Sequence, residues 1–390
     1  MRDTFELLGV LGRGGFGKVF HARFRGDGGF EKEVALKVLH LAQRDDVEFA
    51  ARLRDEARML GLLRHRAIVQ VDRLVKMDEN WVVVMEYVDG FDLHHAVRRD
   101  RVPARVVLEV VAEVAAAIDA AYTRPGPGGE PLRLMHRDIK PSNIRITAWG
   151  DVKVLDFGIA RADFDSREAE SGVKAMGSPP YMAPERLVFE DGPKSDVYSL
   201  ATVAFEALTR RRFGRTKADE AYHAAKVRSA LDYLQRETGV DARVVDLVAT
   251  MLAWSPDRRP EARGVEERCR ELLRTMHGES LRDWAERVGP GLDGGVRPLD
   301  ATVGLTLWAE RDEQGVLRLQ GGEGERWLDF DGPDAPPELP DLDASTQTAI
   351  QVTQAAVEPP RRDLTIALTL VALLAVALLL GFAAWKTLPG

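Results

Sequence analysis

Read for its alternation of apolar and polar positions, the N-terminal part of the chain is a set of short strands. "FELLGVLG" and "KVFHARF" flank a glycine cluster, and both carry strand patterning, which predicts a hairpin. "EVALKVLH" places Val34, Leu36 and Val38 on one side of a strand and Ala35 and Lys37 on the other. Over residues 47–65, Phe49, Leu53, Ala57 and Leu60 make a helical stripe. "WVVVMEYVDG" is continuously apolar and runs into a turn, which suits a buried strand followed by a hinge. "ARVVLEVVAEVAAAIDAAY" predicts a helix, and "VKVLDFG" predicts another apolar strand.

The pattern changes near residue 276. From there to about residue 363 the chain is acidic and rich in Gly and Pro, as in "GPGLDGGVRPLD" and "DGPDAPPELPDLDAS", and reads as a tether. Within it, residues 302–320 hold two strand-like runs around Asp312 to Gly315, the pattern of a hairpin. Residues 364–385 carry no charge. As a helix they would be about 33 Å long, enough to span the roughly 30 Å hydrocarbon core of a bilayer. Arg361 and Arg362 precede this span, and Lys386 follows it in the short tail 386–390. That bias predicts a single-pass protein of the cytoplasmic membrane, with the preceding chain in the cytoplasm. Ala377 and Gly381 form a small-x-x-x-small pair, which would allow a homodimer.

Composition narrows the field. At 390 residues, 45% hydrophobic and 30% charged, the chain can build one large domain or two smaller ones. A formal net charge of -8 argues against a general nucleic-acid binder. The single cysteine, Cys269, has no partner for an intrachain disulfide and reads as a small buried hydrophobe.

Candidate chemistry begins in the first hairpin. "LGRGGFGKVF" places Gly12, Gly14 and Gly17 in a G-x-G-x-x-G-x-V pattern, whose backbone can approach phosphates closely. Two unrelated nucleotide folds share this pattern. Strands on both sides favour a lid over phosphates rather than a strand-to-helix turn. Lys37 on an inward strand face needs a counter-charge, and Glu56, flanking the helical stripe, is a candidate. Taken alone, the pair is equally an ordinary surface lysine and glutamate. Farther on, "HRDIKPSN" gathers Asp138, Lys140 and Asn143, "VKVLDFG" ends in Asp156, and "GSPPYMAPE" closes a polar loop.

These motifs, in this order and spacing, resemble the eukaryotic-like serine/threonine protein kinases of bacteria. The resemblance spans about residues 4–273. It implies an α+β bilobal protein kinase fold over residues 1–275, followed by the linker and one transmembrane helix. The small β-rich N-lobe would cover about residues 1–87, and the larger helical C-lobe residues 88–275. It implies transfer of the γ-phosphate of ATP to Ser or Thr hydroxyls of protein substrates, the chain itself included, as part of signalling. The resemblance assigns Asp138 as base and Lys140 as γ-phosphate clamp, with Lys37 on the α and β phosphates oriented by Glu56. Asn143 and Asp156 would hold Mg2+, with Mn2+ as an alternative. Leu11, Val19, Ala35 and Met85 would enclose adenine, the backbones of Glu86 and Val88 would bond it, and Asp92 would contact the ribose. Leu60, Val71, His136 and Phe157 match a spine between the lobes. Asp196 matches a brace for the catalytic loop, and Glu185 should pair with Arg259.

Several features depart from the family pattern. Residues 123–134 form a Gly- and Pro-rich extension before His136, which reads as a surface loop. Ala201 stands where a glycine is frequent. The loop 156–185 contains no Thr, which leaves Ser166, Ser171 and Ser178 as hydroxyls, of which Ser178 matches a position touching the catalytic loop. Arg137 implies a basic pocket for a loop phosphate. Asp163, Asp165, Glu168 and Glu170 are expected to substitute for that phosphate in part. Arg145 falls where the family places an apolar floor under adenine. Its stem is apolar, and its guanidinium is expected to stack on the purine or reach water.

Overall fold

The computed structural model describes residues 3–14, 17–39, 58–77, 80–157, 178–292, 306–311 and 317–320. The first lobe follows the alternation. β1 (Thr4–Gly14) and β2 (Gly17–Arg25) form the antiparallel hairpin, with Gly12 opposite Val19 and Gly14 opposite Gly17. β3 (Glu31–Leu39), β4 (Val71–Met77) and β5 (Asn80–Glu86) extend the sheet in the order β1-β2-β3-β5-β4. The period of two divides β3 between two cores. Val34, Leu36 and Val38 enter a core enclosed by the sheet, with Phe5, Leu7, Phe20, Val82 and Val84. Ala35 and Leu39 face the core shared with the second lobe, with Val83 and Met85. β5 is buried on both faces, which explains its unbroken apolar run. Residues 58–62 are helical and bury Leu60.

The second lobe starts after the hinge, at β6 (Phe91–Asp92) and α1 (Leu93–Arg99). α2 (Ala104–Thr123) packs against α3 (Pro193–Thr209) and α6 (Ala262–Thr275). Its buried Ala112, Ala115, Ala117 and Ala121 have little side chain to hold neighbours away. β7 (Ile144–Ile146) and β8 (Val152–Val154) complete a three-stranded sheet with β6. α4 (Glu220–Thr238) and α5 (Ala242–Met251) pack beside α3. α3 is buried along nearly its whole length, and Ala201 in it is fully buried. Residues 123–134 are more ordered than a plain loop: Gly126 donates to Glu130, Leu132 to Arg124, and Leu134 to Ala121. Cys269 is buried on α6, and burial pushes its thiol up to about 12, so it is an inert core residue.

Two segments assigned above to the tether are part of the folded body. α7 (Leu281–Val288) extends the second lobe past residue 275. Ser280 caps it, and it buries Leu281, Trp284 and Ala285, with the Trp284 ring 5.7 Å from that of Phe91. The spacing i, i+3, i+4 of those three residues is an amphipathic helix that the surrounding Gly and Pro obscured. The second segment is the hairpin of β9 (Thr306–Arg311) and β10 (Leu317–Gln320). β9 pairs antiparallel with β1, Leu307 opposite Phe5, and β10 runs parallel to β4, Leu319 opposite Met77. The sheet thereby closes into a barrel, and Leu307, Ala309 and Leu319 fill its core. Closure satisfies backbone groups that β1 and β4 would otherwise present as open edges. Among the described residues no helix is long and apolar enough to cross a membrane, and residues 364–385 lie outside them.

Candidate active site

The catalytic loop is positioned by a buried carboxylate. Asp196, in the first turn of α3, accepts the amides of His136 (2.7 Å) and Arg137 (2.8 Å) on its two oxygens. Burial raises the Asp196 carboxyl to about 6, and those amides oppose the shift. Arg137 takes a positive φ of 65°, a conformation that costs energy for a residue with a Cβ and is held here by its surroundings. His136 is fully buried, reaches the Leu155 carbonyl at 2.7 Å, and lies 4.7 Å from the Phe157 ring. Leu60, Val71 and Phe157 share the interlobe core.

The candidate catalytic residues Lys140 and Asn143 converge on Asp138. Lys140 Nζ lies 2.8 Å from Asp138 Oδ2, and Asn143 Nδ2 donates to the same oxygen at 3.1 Å and to the Asp138 carbonyl at 2.9 Å. Lys140 also donates to Ser178 Oγ at 3.0 Å, so Ser178 does touch the catalytic loop. The Leu155 amide donates to the Asn143 carbonyl at 2.8 Å, which ties that loop to the end of β8, just before Asp156. Lys37, from β3, donates to Asp156 Oδ1 at 2.5 Å and so bridges the two lobes. Burial pushes the Asp156 carboxyl up, but the Lys37 ammonium overrides it and holds it below the usual carboxylate range. Asp156, like Arg137, has a positive φ, 58°.

An ionised carboxylate and a carboxamide are hard oxygen donors. Asp156 and Asn143 therefore fit a divalent cation that keeps waters and takes phosphate oxygens, as magnesium does. Among the described residues no cluster of three or more His, Cys, Asp or Glu would hold a metal by itself. Glu56, expected beside Lys37, lies outside the described residues, as do Ser166, Ser171 and the carboxylates of Asp163, Asp165, Glu168 and Glu170.

The residues expected around the nucleotide lie together beside the hinge. Leu11, Val19, Ala35, Met85 and Val88 belong to one apolar cluster, with Ala35 opposite Met85 in the sheet. The Arg145 guanidinium is bonded to the hinge. It donates from Nε to the Val88 carbonyl (2.7 Å) and from Nη2 to the Gly90 carbonyl (2.6 Å). Lys153, opposite Arg145 on β8, bonds Glu86 Oε1 at 2.6 Å. Two cations thus hold the hinge against β7 and β8. Gly90 lies so close to β7 that a Cβ would come 2.1 Å from the Ile146 carbonyl oxygen, which excludes any other residue. Asp92 uses its carboxylate to cap α1, accepting the His95 amide at 2.9 Å and pairing with the His95 ring at 2.8 Å. The pairings of Lys153 and Arg145 carried no sequence signal, because their partners are hinge atoms distant in the chain.

One buried ion pair sits apart from these groups in the second lobe. Arg259, with its side chain fully buried, meets Glu185 at 2.6 and 2.8 Å. Its remaining N–H groups reach the carbonyls of Ala253, Lys194 and Trp254. Burial opposes ionisation of Glu185, but Arg259 overrides it and holds the carboxyl below its usual range.

The protein kinase domain model matches residues 5–269. The chain belongs to the protein kinase family. The tyrosine-protein kinase MasK of Myxococcus xanthus is 37% identical over 216 residues, 53% of this chain and 33% of that protein. The serine/threonine-protein kinase PknB of Mycobacterium leprae is 32% identical over 287 residues, 72% of this chain and 44% of that protein. The crystal structure of the Mycobacterium tuberculosis PknI kinase domain matches with a TM-score of 0.51 at 26% identity, over 68% of this chain and 95% of that one. The bilobal protein kinase fold is therefore established, while the chain spans only a third to under a half of the length of these two curated relatives.

Proposed function

We propose that the chain is an ATP- and magnesium-dependent protein serine/threonine kinase, membrane-tethered, that phosphorylates itself and other proteins in signalling. The observation that carries this reading is the convergence of Lys140 and Asn143 on Asp138, with Lys37 on Asp156 across the cleft. Phosphoryl transfer needs positioning and neutralisation of spread negative charge more than covalent help. Asp138 accepts the proton of the attacking hydroxyl. Lys140 and Lys37 supply the positive charge that faces the phosphates. Asn143 and Asp156 would hold the magnesium, which when bound would neutralise charge on the phosphates. Leu11, Val19, Ala35 and Met85 exclude water around the base, the backbones of Glu86 and Val88 bond it, and Asp92 meets the ribose while capping α1.

Serine/threonine rather than tyrosine specificity is supported by Lys140, which links Asp138 to Ser178. The name of MasK makes tyrosine transfer the competing reading. The uncharged segment 364–385 supports a single span in the cytoplasmic membrane with the kinase domain inside, and Ala377 and Gly381 support a homodimer through it. Incubation with γ-labelled ATP and magnesium, followed by phosphoamino-acid analysis, tests the specificity. Label on Ser or Thr, lost in Lys37→Met, supports the proposal; label on Tyr alone selects the competitor.

A further inference from the structure

Arg137 precedes the proposed base, and its guanidinium already has an anion. Arg137 Nε donates to Asp191 Oδ2 at 2.6 Å. Arg186 approaches the other oxygen of the same carboxylate at 3.6 Å, and its Nη1 donates to the Arg137 carbonyl at 2.5 Å. The side chains of Arg137 and Asp191 are each 19% exposed and that of Arg186 is 6% exposed. One carboxylate thus lies between two poorly solvated guanidiniums, next to a backbone segment in a costly conformation. Without that carboxylate, the two cations would repel each other where solvent screens them weakly. Arg137 is also bonded through its amide to Asp196, so movement of its side chain would be felt at the start of the catalytic loop, one residue from Asp138.

We propose that Asp191 is a positioning residue, an internal counter-anion that holds Arg137 and the catalytic loop in place without a phosphate on the loop 158–177. This rests on the kinase reading above. It gives the role of anion to a residue in the turn before α3, 54 positions from Arg137, and makes activity independent of loop phosphorylation. Asp191 touches neither nucleotide nor hydroxyl, so its loss acts on turnover and spares nucleotide binding.

The test uses the full chain in two preparations, one fully dephosphorylated as verified by intact mass and one self-phosphorylated. Transfer to myelin basic protein is measured at varied ATP for wild type, Asp191→Asn and Asp191→Glu. Binding of a fluorescent ATP analogue and the melting temperature are followed alongside. The expected result is dephosphorylated wild type within about threefold of its phosphorylated form. Dephosphorylated Asp191→Asn should lose at least tenfold in kcat while its KM for ATP and its analogue affinity stay within about twofold. Asp191→Glu should recover at least half of the loss. Should Asp191→Asn not fold, the comparison of Asp191→Glu with wild type and the phosphorylation independence of wild type carry the test. Full kcat in dephosphorylated Asp191→Asn overturns the proposal, as does a wild type active only when phosphorylated. A wild type inactive in both preparations sinks the kinase reading instead.

Discussion

Inside the barrel of the first lobe the described core is an apolar cluster that runs from Phe5 on β1 to Leu319 on β10, whereas the interior of the second lobe buries charge. Asp196 and Arg259 are each at most 2% exposed, and Glu206 is fully buried with Tyr181 bonded to it at 2.7 Å. An apolar core is non-directional: many packings of similar volume serve, and what it supplies is shape and stability. A buried polar network is directional, and each bond fixes an atom. Here the fixed atoms are the backbone of His136 and Arg137 and, through Glu185 and Arg259, the segment that leads into α3. The first lobe forms a stable shell beside the cleft, and the second holds a single loop in a conformation it would not otherwise keep.

Breaking each kind of core should therefore give a different signature. Glu185→Ala leaves the fully buried Arg259 guanidinium without its carboxylate, and its expected cost is about 3 to 5 kcal/mol in denaturant unfolding. Activity should fall with it, because the segment between Glu185 and α3 loosens. Leu307→Ala opens a void in the barrel and should cost about 2 to 3 kcal/mol. Its amide-exchange losses should concentrate on β1 and β4, while exchange of α3 stays as in wild type. Equal loss across both lobes would show that the barrel is not an independent shell. Arg145→Leu sharpens the contrast at the hinge. It removes the hydrogen bonds of a half-buried guanidinium to the Val88 and Gly90 carbonyls. ATP affinity should shift by less than about tenfold, under about 1.4 kcal/mol, with kcat within threefold. A larger loss would make the hinge staple part of the active site proper.

Much of this was legible in the sequence, and the reasons differ by element. The faces of β3 could be read because its alternation is strict, with Val34, Leu36 and Val38 entering one core and Ala35 the other; Leu39, also on that second face, was added by the structure. Asp138, Lys140 and Asn143 stood out as a closely spaced polar group and Asp156 as the end of an apolar strand, and the resemblance then implied their roles. The hairpin over residues 302–320 was readable as a hairpin, but not its docking, because the edges it joins belong to β1 and β4 at the other end of the chain. α7 was hidden by its Gly- and Pro-rich flanks. Asp191 was invisible for a different reason: a counter-ion 54 residues away leaves no local pattern. The hinge bonds of Arg145 left no signal because their acceptors are main-chain carbonyls, which no side-chain pattern marks.

The central claim is that the groups gathered on Asp138 transfer phosphate, with Asp138 as base. The most direct measurement is the rate of label transfer from γ-labelled ATP with magnesium, in wild type and in Asp138→Asn, with binding of a fluorescent ATP analogue measured on both. Asp138→Asn keeps the shape and the Lys140 and Asn143 neighbours but cannot accept the proton. Asp138→Asn should transfer label about 10²- to 10⁴-fold more slowly, with nucleotide binding nearly unchanged. Equal rates in the two proteins, or no transfer by wild type while nucleotide is bound, would contradict it.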